Sequence, residues 1–421
     1  MKRVAITGIG VISPNGIGKE TFWKNCCDGK SFLKQLNIKG LPGSYSRIDD
    51  LPKLKSRVNT QVDNFIPNEY MADKERYIQF ALKGAEMAIE DSKINMDTIN
   101  KDDIGVSFAT AIGGTPLLDS VFYDLTEHGK TDLKFQYDGT SLYEASMFNT
   151  AARCISKRFD CQNICTTIST GCTSGLDSIG FAYDTIKLGE AKIMIAGGSE
   201  APLAPMSFAA FDIINALTKN NENYKEASRP FDAKRNGFVL GEGCAMVILE
   251  EFEHAKARDA YIYGEIAGFS SGNNAYHMTD LPSDGVSLGK VIVKALEEGK
   301  CADKHIGYIN AHGSSTPQND AFETAAYKYA LGEQAYKIPI SSTKSMIGHS
   351  LSSASSIGLT AALLAMNSNI VPPTINYKNK DKKCDLDYIP NVKREVDIDS
   401  VLITASGFSG IHSAMYIKKV V

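Results

Sequence analysis

The 421-residue sequence has little net charge and no long run of apolar residues. Its 45 Lys and Arg against 49 Asp and Glu leave a formal charge of only −4, which gives no overall electrostatic basis for binding nucleic acid or an anionic membrane. No apolar stretch reaches the roughly 18 to 20 residues of a membrane span, and residues 1–7 lead into a strand-like run rather than a cleavable signal. The sequence therefore predicts a cytoplasmic protein in which any acidic partner binds a local basic patch.

Paired cysteine spacing and a complete nucleotide-binding fingerprint are also lacking. Nine cysteines, spread over the chain, do not predict a disulfide framework, and the three between residues 161 and 172 lack the spacing of a zinc site. Gly8 and Gly10 begin a dinucleotide-type pattern, but the third glycine position is Ser13, and no acidic residue ends a second strand about 20 residues later. We therefore expect no metal, nicotinamide or flavin, and interpret the two glycines as a tight turn after the first strand.

The sequence does contain a cysteine at a junction between a strand and a helix. Residues 168–175 read Ile-Ser-Thr-Gly-Cys-Thr-Ser-Gly and follow a strand-like run from residue 163. Apolar residues then recur with helical spacing at Leu176, Ile179, Tyr183 and Ile186. The N-terminus of a helix stabilises a thiolate through its free N–H groups and dipole, and flanking glycines let a substrate approach closely. Cys172 is thus a candidate nucleophile, although a buried structural cysteine is the commoner role.

Three polar or glycine-rich turns in the second half of the chain each follow a strand-like run. They span residues 310–317, 342–350 and 406–410 and include His312, Lys344 and His349. Because strands of an open α/β sheet build sites at their carboxyl ends, we expect these turns to meet Cys172 at one edge. A lone histidine or lysine is usually structural or solvated, but the set together indicates acyl transfer.

The two halves of the chain also show a weak internal repeat. In the first half, the Cys172 turn and its helix precede a strand, a predicted Gly197–Gly198 turn and a second strand. In the second half, the His349 turn and its helix precede a strand, the 407–410 turn and a final strand. This order predicts a duplicated α/β fold with a seam near residues 251–260, in which Cys172 and His349 occupy equivalent positions.

Specific motifs carry a resemblance to a known family. Nearly end to end, and most clearly at residues 4–16, 196–200 and 229–243, the sequence resembles the β-ketoacyl-acyl carrier protein synthases of the thiolase superfamily. Residues 170–177, 272–279, 318–320, 323–326 and 384–388 look most like the catalytic ketosynthase (alpha) subunit of type II polyketide synthases. The resemblance implies a thiolase-like five-layered αβαβα fold from two duplicated halves. Residues 1–253 would carry the cysteine, and residues 254–421 would carry the two histidines and the lysine.

The resemblance also implies a reaction, the decarboxylative Claisen condensation of malonyl-acyl carrier protein with an acyl chain held on Cys172. The backbone N–H groups of Cys172 and Phe408 would form the oxyanion hole, and His312 and His349 would stabilise the enolate. Lys344 would fix His312 electrostatically, with Glu323 as its partner. The only prosthetic group implied is the phosphopantetheine of the carrier protein.

The turn at residues 407–412, which the resemblance implies as a gate over the Cys172 thiol, departs from the family pattern. Fatty-acid enzymes read Gly-Phe-Gly-Gly-Thr-Asn where this chain has Gly-Phe-Ser-Gly-Ile-His at residues 407–412. The implied gate, Phe408, is kept. Ser409 predicts either restricted gate motion or a turn that needs a less positive φ. We expect His412 to support the site rather than to react.

Two partners follow from the resemblance, an acyl carrier protein and a homologous chain-length factor that lacks the cysteine. The mixed apolar segment 115–148 is expected to cover the acyl tunnel and to pack on the partner subunit. Lys74 and Arg76 precede a predicted helix, and their side chains are expected on its exposed side as a basic patch for the carrier. An ordinary solvated charge cluster is the alternative interpretation.

Three other functions fit the sequence less well. A noncatalytic chain-length factor would carry another residue in place of Cys172. A degradative thiolase would need a second cysteine near the C-terminus, and the last one here is Cys384. A homodimeric fatty-acid elongation synthase is the nearer alternative.

Overall fold

The chain is built around one continuous hydrogen-bonded sheet flanked and divided by helices. A computed structural model describes residues 1–37, 54–127, 130–132, 141–303 and 305–420. The strands in these ranges are β1 (Val4–Ser13), β2 (Gly16–Ile17), β3 (Lys34–Gln35), β4 (Val58–Thr60), β5 (Ile104–Ala109), β6 (Cys165–Ile168), β7 (Ile193–Glu200), β8 (Leu240–Gly241), β9 (Gly243–Glu251), β10 (Gly264–Asn273), β11 (Tyr308–Asn310), β12 (Ile340–Ser341), β13 (Ile370–Val371), β14 (Arg394–Glu395), β15 (Ser400–Ser406) and β16 (Ile411–Lys418). The helices are α1 (Lys19–Cys27), α2 (Arg76–Ser92), α3 (Thr115–Leu125), α4 (Ser141–Ser146), α5 (Thr150–Phe159), α6 (Ser174–Leu188), α7 (Pro205–Ile213), α8 (Phe252–Ala257), α9 (Val286–Glu298), α10 (Pro317–Leu331), α11 (Lys344–Ile347) and α12 (Ser353–Ser368).

The order of the strands shows that the fold is duplicated. The sheet runs β12-β11-β15-β16-β10-β1-β9-β7-β5-β6, with β2 paired to β1. Outward from the central antiparallel β1–β10 pair, both sides repeat one pattern, in which an antiparallel strand (β9 or β16) is followed by three mutually parallel strands. The strands before Cys172 and before His349, β6 and β12, therefore occupy equivalent outer positions, which confirms the predicted repeat.

Helices complete five layers. The apolar face predicted for α6 is buried, and α6 packs against α12 between the two halves of the sheet. Helix α12 is buried almost all round, as expected for a helix in a central layer. Helices α2 and α5 cover the outer face of the first half, and α9 and α10 cover that of the second. The predicted αβαβα fold is therefore confirmed.

Two pairs of glycines predicted to form turns lie inside strands instead. Gly8 and Gly10 belong to β1, where a Cβ on Gly8 would lie 2.1 Å from the carbonyl oxygen of Ala88 in α2. Gly197 and Gly198 belong to β7, where a Cβ on Gly197 would lie 2.1 Å from the carbonyl oxygen of Ala245 in β9. Both turn interpretations are wrong, because these glycines serve close backbone packing rather than chain reversal.

The predicted seam, residues 251–260, contains α8 and joins β9 of one half to β10 of the other, and the domain boundary itself stays a prediction. Segment 115–148 contains α3 and α4, and its residues 128, 129 and 133–140 lie outside the described residues. In the described ranges, no helix is both long and apolar enough to cross a bilayer. The cytoplasmic location also stays a prediction.

Candidate active site

Cys172 lies in a short 3₁₀ turn, Gly171–Thr173, that joins β6 to the first turn of α6. The carboxylate of Asp177 accepts hydrogen bonds from the hydroxyls of Thr170 (2.5 Å) and Thr173 (2.7 Å). It also accepts one from Ser413 on β16, which ties the turn to the other half of the fold. Asp177 was not predicted as a site residue, although it is the last residue of the cysteine motif at 170–177. Its role in the structure is to fix the shape of the nucleophile turn.

Burial dominates the electrostatics of the thiol. Cys172 is only 8% exposed, and its burial raises the pKa of the thiol to about 12. The Lys344 ammonium opposes this rise in pKa, as do hydrogen bonds from the backbone N–H groups of Phe408 and Cys172, whereas Glu200 adds to it. The resting residue is therefore a thiol, and its proton must be taken up as the sulfur attacks. These are the same two N–H groups that are expected to form the oxyanion hole.

The backbone of His312 is held by a buried carboxylate. His312 follows β11, and Glu323 of α10 accepts the N–H groups of His312 (2.7 Å) and Gly313 (2.8 Å). The hydroxyls of Tyr327 (2.8 Å) and Thr404 (2.7 Å) donate to the same carboxylate. Since Glu323 is fully buried, these donors replace its hydration and fix the turn that carries the imidazole.

Lys344 also holds the turn that carries His312. Its Nζ donates to the carbonyl oxygen of His312 at 2.6 Å. Burial lowers the pKa of Lys344 to about 8, and the negative charge of Glu323 opposes that shift. Glu323, the partner that the resemblance implies for Lys344, acts on the same turn, because Lys344 holds the carbonyl oxygen of His312 while Glu323 holds the N–H groups of His312 and Gly313.

The hydrogen bonds of His349 define its tautomer. Its Nδ1 accepts the N–H of Leu351 at 3.1 Å, so in the neutral ring Nε2 carries the proton. Within the described part of the chain, this buried Nε2 has no hydrogen-bond partner. Burial and then the Lys344 charge hold the pKa of His349 well below its usual value. His349 is therefore a neutral donor with an uncommitted N–H.

The two imidazoles face each other, and their ring centroids are 5.2 Å apart with planes at 76°. The pKa of His312 is also lowered well below its usual value, first by burial and then by Lys344, His349 and His412. Neutral rings can donate a hydrogen bond to a carbonyl oxygen without placing two positive charges side by side.

A cavity of about 260 Å³ brings the predicted residues together. Cys172, His312, His349 and Phe408 line it, whereas Lys344 lies behind His312. The other lining residues are Ile214, Asn215, Ala216, Gly237, Phe238, Thr279, Asp280, Leu281, Ser314, Thr316, Pro317, Gln318, Asn319, Ser406 and Gly407. The lining thus combines aromatic and aliphatic side chains with polar ones around the thiol, as a site for a thioester substrate requires.

Phe408, the residue expected to gate access to the thiol, lines the cavity together with Cys172. Its ring stacks on Phe211 of α7 at 6.4 Å. Ser409, the next residue, has φ +67°, so the expectation of a less positive φ is wrong. The Ser409 N–H donates to the carbonyl of Met278 at 2.7 Å, and Asn273 donates to the Ser409 carbonyl at 2.8 Å. These contacts from a neighbouring loop hold the serine in a backbone conformation that glycine adopts more readily.

His412 occupies the supporting position expected of it. It is fully buried, its Nδ1 lies 3.0 Å from the Ser406 hydroxyl, and its ring stacks on Phe322 at 5.0 Å. Burial lowers its pKa to about 4, so the ring is neutral at physiological pH.

Glu200 is a second buried acid that the sequence analysis did not single out. Its carboxylate accepts the hydroxyls of Ser352 (2.5 Å) and Thr110 (2.8 Å) and the N–H of Ala111 (2.7 Å). It thereby joins the start of α12 to the end of β5, directly beside the nucleophile. The sequence did offer one indication of this role. Glu200 is the last residue of the 196–200 motif, and an acid at the end of a buried strand needs hydrogen-bond donors.

Lys74 and Arg76, the two residues expected to form a basic patch for the carrier, differ in their surroundings. Arg76 makes a bidentate ion pair with Glu242, from Nε to Oε2 at 2.9 Å and from Nη2 to Oε1 at 2.6 Å. Since the Glu242 side chain is fully buried, it needs this guanidinium, and Arg76 is only partly exposed instead of lying on the exposed side of the helix as predicted. Lys74 lies 3.0 Å from Asp73 and 3.7 Å from Glu144.

No group of acidic, histidine or cysteine side chains in the described ranges is arranged to hold a metal ion. The site is therefore built from a thiol, two neutral imidazoles, an ammonium group and backbone donors. Such a set can form and break thioesters and can stabilise an oxyanion or an enolate.

Comparison with known sequences places the chain in one family. The model described as "Beta-ketoacyl synthase, N-terminal domain" matches residues 1–255, and "Beta-ketoacyl synthase, C-terminal domain" matches residues 263–378. The putative polyketide beta-ketoacyl synthase 1 of Streptomyces cyaneus is 43% identical over 421 residues, which cover 98% of this chain and 97% of that protein. The tetracenomycin polyketide synthase ketoacyl synthase alpha subunit of Streptomyces glaucescens is 39% identical over 427 residues, with coverage of 99% and 97%.

Solved structures that resemble this chain are also ketosynthases. A type II polyketide synthase acyl-carrier protein in complex with its ketosynthase, bound to the hexaketide, includes a chain that is 41% identical and superposes with a TM-score of 0.92, with 100% of both chains covered. The ishigamide ketosynthase/chain length factor gives 28% identity and a TM-score of 0.89, again with 100% of both chains covered. The chain belongs to the β-ketoacyl synthase family.

Proposed function

We propose that this protein is the catalytic ketosynthase subunit of a type II polyketide synthase, and that it condenses malonyl-acyl carrier protein with a chain held on Cys172. The observation that carries the proposal is the cavity that joins the Cys172 thiol to two neutral imidazoles. A noncatalytic homologue would have no use for a thiol in this position. Relatives of similar length named as polyketide ketoacyl synthases support the polyketide assignment.

In the first half-reaction, the Cys172 sulfur attacks the thioester carbonyl of an acyl chain on the carrier's phosphopantetheine. The thiol proton leaves as the sulfur attacks and is delivered to the departing phosphopantetheine thiolate. The N–H groups of Cys172 and Phe408 hold the oxyanion of the tetrahedral intermediate. The products are an acyl-Cys172 thioester and free carrier thiol, so atoms and charge balance.

In the second half-reaction, malonyl-carrier protein enters and loses its carboxylate as CO₂. The electron pair of the broken carbon–carbon bond becomes an enolate, whose oxygen needs hydrogen-bond donors. The uncommitted Nε2–H of His349 is one such donor, and His312 faces the same space. The enolate carbon attacks the acyl-Cys172 carbonyl, and the Cys172 thiolate leaves and takes up one proton from water, which restores the thiol.

Lys344 and Glu323 position these groups. The ammonium lowers the pKa of Cys172 and fixes the His312 carbonyl, and the carboxylate fixes the His312 and Gly313 amides. A direct acid–base role for Lys344 is unnecessary, because its hydrogen bond is to a peptide rather than into the cavity.

The partners of this reaction are an acyl carrier protein, which supplies the phosphopantetheine, and a homologous chain-length-factor subunit. A structural relative with 41% identity is a ketosynthase in complex with its acyl-carrier protein, and another relative is a ketosynthase/chain length factor. The exposed apolar side chains of Phe122, Tyr143, Met147 and Phe148 in segment 115–148 support a subunit contact there.

The test is to purify the protein alone and together with a co-expressed homologue that lacks the cysteine. Chain extension from malonyl-carrier protein is then followed by mass spectrometry of the carrier. The proposal predicts a heterodimer that makes products with several added two-carbon units. A stable homodimer that extends saturated acyl chains by single rounds would overturn the polyketide assignment in favour of fatty-acid elongation. Absence of any condensation by either preparation would overturn the proposed chemistry.

A further inference from the structure

The start of α12 is rich in serines that are buried in the centre of the fold. Five of them lie within residues 350–356, directly after His349, and they are Ser350, Ser352, Ser353, Ser355 and Ser356. None is more than 4% exposed. A buried hydroxyl destabilises a protein unless it is hydrogen-bonded, and serine is a poorer helix former than alanine. The hydrogen bonds of these serines therefore indicate what they contribute.

Ser353 and Ser356 bond within their own segment. The Ser353 hydroxyl donates to the carbonyl oxygen of Ser350 at 3.1 Å, and the Ser356 hydroxyl donates to that of Ser353 at 3.0 Å. Such bonds satisfy a buried hydroxyl locally and tie α12 to no other element. Ser352 and Ser355, in contrast, contact β7 and α6, and we call these two residues the serine clamp.

The serine clamp caps the helix that follows Cys172. The N–H of Gly175 donates to the carbonyl oxygen of Ser352 at 3.1 Å, and the N–H of Leu176 donates to the hydroxyl of Ser355 at 3.0 Å. These are among the first N–H groups of α6, which a helix leaves available to outside acceptors. The approach is close, because a Cβ on Gly175 would lie 2.6 Å from the Ser352 carbonyl oxygen. Two N–H groups that were expected to favour a thiolate are thus bonded to α12.

Glu200 anchors the serine clamp to β7. The Ser352 hydroxyl donates to the Glu200 carboxylate at 2.5 Å, and both residues are fully buried. The same carboxylate accepts hydrogen bonds from the segment after β5. The residue before Ser352 is Leu351, whose N–H donates to Nδ1 of His349. One buried serine therefore contacts α6 through its carbonyl and β7 through its hydroxyl, and it adjoins the backbone that fixes the imidazole.

We infer that Ser352 and Ser355, anchored by Glu200, are positioning residues that hold the Cys172 turn and His349 in a fixed relative position. The inference rests on the proposed function. During condensation the enolate carbon must reach the acyl carbonyl on Cys172 while the enolate oxygen stays bonded to His349, so the distance between the two elements decides whether the reacting atoms meet. In the described chain, none of the three positioning residues lines the catalytic cavity, so each acts through the groups that it holds.

The serine clamp also bears on the resting state of the nucleophile. Burial is the main cause of the raised pKa of Cys172, and Glu200 adds to it. Acceptors on α12 occupy N–H groups that would otherwise stabilise a thiolate at the start of α6. Weakening the clamp should therefore make the thiol more reactive toward a small reagent and less able to complete condensation.

The test uses single substitutions in the complete enzyme with its partners. Ser355→Ala removes the acceptor of the Leu176 N–H, and Ser356→Ala, one residue later in the same buried helix, is the matched control. Alanine is the best helix former, so both variants should fold. The kcat and KM for malonyl-carrier protein are measured together with the rate at which iodoacetamide labels Cys172 at neutral pH. Peptide mass spectrometry also follows Cys244, a fully buried cysteine outside the cavity, whose labelling would report unfolding.

For Ser355→Ala we expect kcat to fall about tenfold at an unchanged KM, since a misplaced thioester lowers the rate and not the affinity. Labelling of Cys172 should become about threefold faster while Cys244 stays unlabelled. Ser356→Ala should match the wild type in all these measurements. An unchanged kcat for Ser355→Ala, labelling of its Cys172 no faster than in the wild type, or an equal loss of kcat in Ser356→Ala would overturn the inference.

A second variant covers the case in which Ser355→Ala unfolds and Cys244 is labelled. Ser352→Ala removes the hydroxyl bonded to Glu200 and should lower kcat in the same way. Combined with Glu200→Gln, it should cost less than the product of the two single fold-losses, because the two side chains act through one hydrogen bond. A loss equal to that product would overturn the anchoring role. If wild-type protein condenses no carrier substrate at all, the proposed function fails, whereas the labelling measurement needs no carrier protein and still tests the serine clamp.

Discussion

The N–H of Leu351 donates to Nδ1 of His349 and thereby sets the proton of this imidazole on Nε2, the nitrogen without a partner in the described protein. Leu351 achieves this with φ +47°, a conformation that side chains other than glycine rarely adopt. Local backbone strain of this kind commonly costs about 1 to 3 kcal/mol and persists where the surrounding structure enforces it. Here it fixes a hydrogen-bond donor in a buried cavity before any substrate is bound.

Replacement of His349 should therefore separate the two half-reactions. In His349→Ala, malonyl decarboxylation should fall by about 100-fold or more, because one preorganised donor to the enolate is lost, whereas self-acylation of Cys172 should fall much less. The same direction is expected for His312→Ala. Release of labelled CO₂ and mass spectra of the acyl-enzyme measure the two steps. Equal loss of both steps would assign the imidazoles to another task.

Cys172→Ala should abolish acyl transfer and leave the fold intact, since it removes the nucleophile and very little buried volume. Condensation is followed on the carrier protein, and stability by thermal unfolding. Cys27→Ala, a half-buried cysteine outside the cavity, is the matched control and should keep wild-type activity. Normal condensation by Cys172→Ala would contradict the assignment of the nucleophile.

Lys344 should make stability depend on pH in the alkaline range. Burial lowers its pKa from 10.5 to about 8 in the folded protein, so between these values the unfolded chain binds more protons. The free energy of unfolding of the wild type should therefore rise relative to that of Lys344→Met as the pH increases from about 8 to about 10. Urea unfolding of both proteins across this range measures the difference. A difference that stays constant or falls would show that the ammonium is not destabilised by burial.

Lys344→Met should also reduce the reactivity of the Cys172 thiol. The Lys344 charge lowers the pKa of Cys172, so Lys344→Met should slow alkylation of Cys172 at neutral pH. The rate of labelling by a small alkylating reagent, resolved by peptide mass spectrometry, is the measurement. Equal rates in the two proteins would remove Lys344 from the activation of the nucleophile.

Arg76→Ala should act on stability rather than on carrier binding. It strips the buried Glu242 carboxylate of its bidentate partner, a change that typically costs about 3 to 5 kcal/mol. Lys74→Ala, two residues earlier and more loosely paired, is the control and should cost less than about 1 kcal/mol. Chemical unfolding measures both. A specific rise in carrier KM with unchanged stability in Arg76→Ala would restore the original expectation for this residue.

The repeat was predictable because it depends on local patterns, and the five-layered fold was predictable because the motifs resemble those of a known family. The helical spacing of apolar residues after Cys172 defines α6, and turns after strand-like runs place the reactive residues at strand ends. The gathering of Cys172, His312 and His349 in one cavity follows from that placement and from the resemblance to a family.

The features that were missed depend on contacts far apart in the sequence. Gly8 looks the same whether it turns the chain or lets a helix approach, and only Ala88 of α2 distinguishes the two. Arg76 reads as a surface charge until Glu242, 166 residues later, is seen buried beside it. The positive φ of Ser409 likewise depends on hydrogen bonds from another loop.

The measurement that tests the central claim most directly is a two-step mass spectrum of the peptide that contains Cys172. After incubation with acyl-carrier protein, the acyl mass should appear on Cys172. After addition of malonyl-carrier protein, it should leave the peptide and reappear on the carrier, extended by two carbons and a keto group. An acyl label on any other residue, or a label on Cys172 that malonyl-carrier protein never removes, would contradict the account.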